Sequence, residues 1–228
     1  MKRLGLRSTP LVVVLLVGLA ASTTVFAASL TVSPDQLTVL GGTVPTTEPP
    51  PADSVTVTLD AVADTFVLGN SAVNNGALQI LETNPHVSGN PATPTGSHRL
   101  AFVRFDLSAI PATATIESAE LSLRQVTGTT RTYAAQPVAA AWSETAMVWA
   151  NRPDVTGAAT STTPAGGLAL WAVTDDVVAF VATPADNFGW RLADTGTGNV
   201  TTTFRSREYG ATDVEKADRP KLVITYVP

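Results

Sequence analysis

The sequence predicts an all-β protein, a mostly antiparallel, jelly-roll-like β-sandwich with one short helix. Three observations lead there. Composition is the first: the 228 residues include 34 Thr, 16 Gly and 16 Pro, but Lys only at positions 2, 216 and 221, which suits strands and turns and does not suit a helical bundle. Period-two alternation of apolar and polar residues recurs along the chain, as in sheets with one dry and one wet face. The strand-like runs are short and separated by Gly, Pro, Asn and Asp, the spacing of a sandwich or barrel.

The first 27 residues read as an export signal. Lys2, Arg3 and Arg7 form a basic start, Leu11 to Ala21 is an apolar run, and Val25-Phe26-Ala27 puts small residues at the −3 and −1 positions of a cleavage before Ala28. The rival reading is an uncleaved anchor, which must incorporate Ser22, Thr23 and Thr24 and makes a weak span. No later segment is apolar for ~18 residues. Residues 28–54 form a short N-terminal segment and a linker: Ser29 to Leu40 has two β-like runs around Pro34-Asp35, and Gly41 to Ser54 is dominated by Pro and Thr, with an extended Pro49-Pro50-Pro51. The remaining 55–228 form one domain.

Within it, Val55 to Leu59 and Thr65 to Leu68 read as two strands, Asn74-Asn75-Gly76 as a turn, and Leu78 to Leu81 as the next strand. Residues 84–97 are a Pro/Gly loop. In Leu100 to Leu107, Ala101, Val103, Phe105 and Leu107 face one way and Arg104 and Asp106 the other. In Ile116 to Val126, Ala119, Leu121 and Leu123 oppose Glu120, Ser122 and Arg124. Thr132 to Ala140, Leu168 to Val173, Trp190 to Leu192, Thr201 to Ser206 and Leu222 to Val227 complete the strands. Thr174 to Ala182 alone looks helical, with Thr174 as N-cap and Asp175 and Asp176 in its first turn.

Charge and composition exclude several functions. The formal net charge is −5, and removing the three basic residues of the signal makes it −8, which is no footprint for nucleic-acid binding. There is no Cys, so no disulfide, thiolate metal site or Cys nucleophile. His86 and His98 are the only histidines, and no Gly-x-Ser-x-Gly elbow is present.

Four groups remain as candidates. Trp142-Ser-Glu144 with Met147-Val-Trp149 has the elements of a sugar platform with an acid, but such Trp residues more often fill a core, and glycoside hydrolysis normally needs a second carboxylate. Asp60, Asp64, Asn70, Asn74 and Asn75 are oxygen ligands of the kind Ca²⁺ takes, but without any EF-hand spacing, and turns and caps are the preferred account of them. No cofactor or metal is expected. Arg205 and Arg207 share one strand face, as Arg104 and Arg124 share the outward parity of theirs. These four arginines are the candidate ligand residues, because guanidinium groups grip carboxylates; the plainer alternative for Arg205 and Arg207 is cross-strand ion pairing with Glu120 or Asp106. If sugars instead stack on an exposed ring, Trp171, Trp190 and Tyr209 are the first residues to consider.

One ordered series resembles a known family. Ala63-Asp-Thr-Phe-Val67, Asn75-Gly76, Phe102 to Leu107, Ile116 to Leu123, Trp142 to Pro153, Asp186 to Leu192, Phe204-Arg-Ser-Arg-Glu208 and Arg219 to Tyr226 resemble the DNRLRE domain, which is similar to carbohydrate-binding module family 96. The resemblance implies a β-sandwich module of a secreted or cell-surface protein that binds polysaccharide, in some members acidic polysaccharide such as alginate, without catalysis. Two other functions stay open: a structural or adhesive surface protein that self-associates through its sandwich, and a polysaccharide lyase or hydrolase. The expected partner is a polysaccharide or cell-surface glycan, with no nucleic acid and no membrane span after signal cleavage.

Overall fold

A computed structural model describes residues 53–85 and 96–228 in full, and the backbone of 31–33 and 36–38. The expected signal (1–27), the Pro49-Pro50-Pro51 run and His86 lie outside the described residues. Thr31–Ser33 (β1) and Gln36–Thr38 (β2), the runs that flank Pro34-Asp35, pair antiparallel with Val32 opposite Leu37.

The unit Pro51–Pro228 contains β3 (Val55–Leu68), β4 (Ile80–Thr83), β5 (Arg99–Phe105), β6 (Thr115–Thr127), β7 (Tyr133–Pro137), β8 (Thr160–Thr162), β9 (Leu168–Ala172), β10 (Trp190–Asp194), β11 (Thr202–Arg205) and β12 (Lys221–Val227). All pairings are antiparallel, in the order β4-β11-β6-β12-β3-β5-β10-β7-β8, with β9 also on β6. Two long strands fold this path into facing layers. Residues Val55 to Asp60 of β3 pair with β12; after a register shift between Ala61 and Ala63 the strand continues against β5. Similarly, β6 pairs with β12 and β9 along its length and passes to β11 at Gln125 and Thr127. A bulge bends and twists a strand, which is how one strand serves both layers.

Alternation then decides what is inside. Leu121, Leu123, Trp171, Leu222 and Ile224 from the β9-β6-β12 side meet Val103, Phe105, Trp190 and Leu192 from the β5-β10 side in one core, and each is at most 1% exposed. Leu100 and Phe102 point the opposite way on β5 and are also buried, under Val138, Met147 and Trp149 from the segment after β7. Thus β5 is dry on both faces except at Arg99 and Arg104, consistent with its unbroken apolar run.

The structure departs from the sequence reading at four elements. The two strands expected at 55–59 and 65–68 are one 14-residue strand, because the residues between them keep extended geometry while changing partner. Thr160–Thr162, expected as loop, forms edge strand β8 on β7. Helix α1 spans Thr174–Ala182 as expected, but its N-cap is Val173; Thr174 Oγ1 instead accepts the Ala119 N–H at 3.0 Å and ties α1 to β6. A second helix, α2 (Asp213–Lys216), starts in a capping box in which Thr212 Oγ1 accepts the Glu215 N–H and the Glu215 carboxylate accepts the Thr212 N–H.

Candidate functional site

The motif residues converge on a carboxylate clasp. Asp64 on β3, Glu144 in the segment after β7, and Glu208 just beyond β11 each bring a carboxylate oxygen within 4.8 Å of the others. Arg207 holds them together: its Nε lies 2.7 Å from Glu144 Oε1 and 2.8 Å from Glu208 Oε1, and its backbone N–H donates to Asp64 Oδ2 at 2.7 Å. Glu144 Oε1 also accepts the Asp64 N–H at 2.8 Å. Neighbouring backbone secures the arrangement. Asn74 Nδ2 donates to the carbonyls of Glu144 and Met147, Asn75 Nδ2 donates to Phe66 O, and Ser206 Oγ donates to Leu78 O. Gly76 is needed because a Cβ there would sit 2.3 Å from Glu144 O.

Electrostatics follow the packing. Burial pushes the Asp64 carboxyl up to about 8, with Glu208 and Glu144 raising it further against the hydrogen bond from Arg207. The Glu144 hydrogen bond, in turn, raises Arg207 above its ordinary value. Oxygen donors at this spacing are of the kind a hard cation takes, but Arg207 already provides the clasp with a fixed positive charge. Among the described residues, Asp60 of the proposed oxygen cluster pairs with Lys221, and Asn74 and Asn75 serve the backbone. These contacts give Glu144 a structural role. Glu144→Ala is expected to lower stability by about 1–3 kcal/mol through the unsatisfied Asp64 N–H and Arg207 guanidinium, measured by urea unfolding, while the folded fraction retains polysaccharide binding.

The four expected ligand arginines are not one patch. Arg207 is in the clasp, where its acidic partners are Glu144 and Glu208, not the Glu120 or Asp106 expected from strand parity. Arg124 pairs with Asp218 at 3.0 Å. The Arg205 guanidinium lies 3.6 Å over the Tyr209 ring, and that of Arg104 lies 5.5 Å from the Trp142 ring. β12 and β3 stand between β6 and β5, so Arg104 and Arg124 are not on adjacent strands. Arg205 and Arg207 are close in sequence but engage different partners.

The expected aromatic platforms also need correction. Trp171 and Trp190 are fully buried, and their indole N–H groups donate to Tyr133 O and Asp176 Oδ2. Tyr209 is covered by Arg205. Trp142, whose Nε1 donates to Phe188 O at 2.7 Å, and Phe188 itself are half-buried, as is Tyr209 beneath Arg205. Phe188 precedes Gly189, whose φ of +77° and approach to Val103 O exclude a side chain. The half-buried His98 packs its ring 5.0 Å from that of Trp149. A cavity of about 460 Å³ between α1 and the end of β7 is lined by Phe180, Phe188, Asp176 and Asp186; burial raises the Asp176 carboxyl against the Trp190 hydrogen bond.

The motif series is gathered into the clasp and corners of a two-layer antiparallel sandwich. The chain belongs to carbohydrate-binding module family 96, whose family model matches residues 55–226. No curated protein matches it.

Proposed function

We propose that the protein is a secreted or cell-surface, non-catalytic carbohydrate-binding module whose ligand is an acidic polysaccharide. Family membership across 55–226 carries this reading. Support for an acidic ligand comes from guanidinium groups without a carboxylate partner: of the four arginines expected to bind, Arg104 and Arg205 make no ion pair and rest on aromatic rings. Arg124 and Arg207 reach a ligand only by exchanging Asp218 or Glu144 for it. The absence of catalysis is supported by the use of Glu144 and Asp64, the acids nearest the Trp142 block, in internal hydrogen bonds. No helix among the described residues is long and apolar enough to cross a membrane.

Affinity electrophoresis in gels containing alginate, polygalacturonate or neutral galactan tests the reading. Retardation is expected in the acidic gels and is expected to weaken with salt, since exposed charges are screened within about 8–10 Å at physiological ionic strength. Retardation by none of the polymers, with a mass that grows with concentration in light scattering, would replace this reading with a self-associating surface protein.

A further inference from the structure

Arg99, Arg124, Arg131 and Arg207 are ion-paired, and Arg219 donates to the carbonyls of Tyr209 and Gly210. Arg104, Arg152 and Arg191 have no ion pair among the described residues and gather around Phe102. On β10, Arg191 stands opposite Phe102 of β5 and Gln136 of β7, on the outer side of that layer. Its Nη2 donates to Gln136 Oε1 at 3.2 Å, and its Nε is buried with no acceptor. The Arg152 guanidinium lies 3.8 Å over Trp149, which shares the small outer cluster with Phe102. Trp142 packs 6.1 Å from Phe102 and carries Arg104 on its ring. By register Arg104 is diagonal to Arg191, a spacing of roughly 7–8 Å between strand neighbours. Burial, followed by the charge of Arg152, lowers the Arg191 pKa, and burial lowers that of Arg152. Asp154 is the acid whose charge acts on both; it is exposed and makes no ion pair with either.

A half-buried guanidinium whose Nε–H is buried without an acceptor, beside a second guanidinium, costs stability. Arg152 Nη1 already donates to Trp149 O at 2.5 Å, and an external anion beside the two guanidinium groups offsets their like charge. We propose that Arg152 and Arg191, with Gln136 and the Trp142–Arg104 stack beside them, seat the acid group of an anionic sugar residue, a carboxylate or a sulfate ester. This rests on the carbohydrate-binding reading above and places the ligand on residues other than three of the four arginines first singled out. The guanidinium fork bonds the acid group, and the open edge of Trp142 faces the apolar side of the sugar ring.

The test uses the full chain in gels of polygalacturonate, dextran sulfate and neutral galactan, comparing wild type with Arg152→Gln, Arg191→Met and the double variant, and with Lys216→Gln as a charge control. The double variant is expected to lose at least about tenfold in affinity for the acidic polymers, with Lys216→Gln unchanged. Arg191→Met is expected to keep or raise Tm, because it removes a half-buried charge that has no ion pair among the described residues, while losing binding. Retardation by polygalacturonate alone assigns the seat to carboxylates, and by dextran sulfate alone to sulfate esters; either supports the proposal when the double variant loses it. Equal retardation of wild type and double variant in an acidic gel would overturn this seat and leave acidic-polysaccharide binding standing. Binding of wild type to neutral galactan only, or to none of the polymers, would overturn both. A lower Tm for Arg191→Met with unchanged binding would make Arg191 structural and overturn the seat.

Discussion

Unfolding stability is expected to fall by about 4 kcal/mol between pH 5 and pH 9, and Asp64→Asn is expected to remove most of that fall. Asp64 is 1% exposed, lies against Glu144 and Glu208, and has its pKa pushed from 3.8 up to about 8. In the folded protein it therefore keeps its proton across a range in which the unfolded chain has released it. The native state binds more protons between those two values, so stability declines with rising pH: the contribution is complete below about pH 3.8 and is lost as pH passes through 8. The geometry accounts for the proton. Asp64 Oδ2 accepts the Arg207 N–H, the Glu208 carboxylate beside it raises the Asp64 pKa further, and the buried Glu208 Oε2 has no hydrogen-bond partner among the described residues, so a proton on Asp64 is held next to an acceptor that lacks a donor. Asparagine reproduces the protonated acid, with an oxygen for Arg207 and an N–H₂ for Glu208. Urea unfolding of both proteins across pH 5–9 checks this. Asp106 and Glu215, whose hydrogen bonds lower their pKa values, titrate below the window. Asp176, raised by burial, leaves a smaller residual slope of the same sign. A variant with the full wild-type slope would place the titration elsewhere.

Alternation made much of the sandwich readable before any coordinates. The inward set Ala101, Val103, Phe105, Ala119, Leu121 and Leu123 is buried in one core, because a two-residue period fixes which side chains share a face; the burial of Leu100 and Phe102 on the other face of β5 is not given by that period. What alternation does not encode is the partner of each strand. The bulge at Ala61 to Ala63 divides β3 between two layers without a break in the chain, so a sequence scan sees two strands. Thr212-x-x-Glu215 did carry a helix-start signal, but α2 is only four residues long and lacks the apolar periodicity that marks longer helices. The clasp was legible as separate motifs, not as one site. Asp64, Glu144 and Arg207 are far apart in sequence, and their meeting depends on β3, the segment after β7 and the end of β11 arriving at one place. Arg152 and Arg191 are illegible in the sequence for the same reason: the register of β5, β10 and β7 puts Arg191 beside Phe102, and the packing of Trp149 in the cluster with Phe102 brings Arg152 there. Arg205 and Arg207 drew notice because they are near each other in sequence, yet Arg207 is consumed by internal charges.

Trp190→Ala is expected to cost about 3–5 kcal/mol, and Trp190→Phe about 1–3 kcal/mol. From sequence alone Trp190 was a candidate for stacking on sugar. In the fold it has no exposed surface, with its ring 6.2 Å from Phe105 and 5.2 Å from Phe180, both edge-on. It joins β10 to β5 and β7, opposite Val103 and Pro137, and packs α1 against the sandwich through Phe180. Alanine empties the centre of this packing, where the rigid strands on either side limit collapse. Phenylalanine keeps most of the ring but deletes the N–H that donates to Asp176 Oδ2 at 2.7 Å. That bond opposes the burial that raises the Asp176 carboxyl, so its loss moves the Asp176 pKa further upward. The Trp190→Phe protein should consequently lose stability most at alkaline pH, where a buried carboxylate without its donor is charged, and less at pH 4–5, where protonation relieves it. Chemical denaturation at pH 5 and pH 9 measures both effects. The folded fraction of Trp190→Phe should bind acidic polysaccharide as the wild type does, because the ring lies on the inner face of β10 and Arg191 projects from the outer one. A Tm that stays at the wild-type value while binding disappears would instead return Trp190 to the ligand surface.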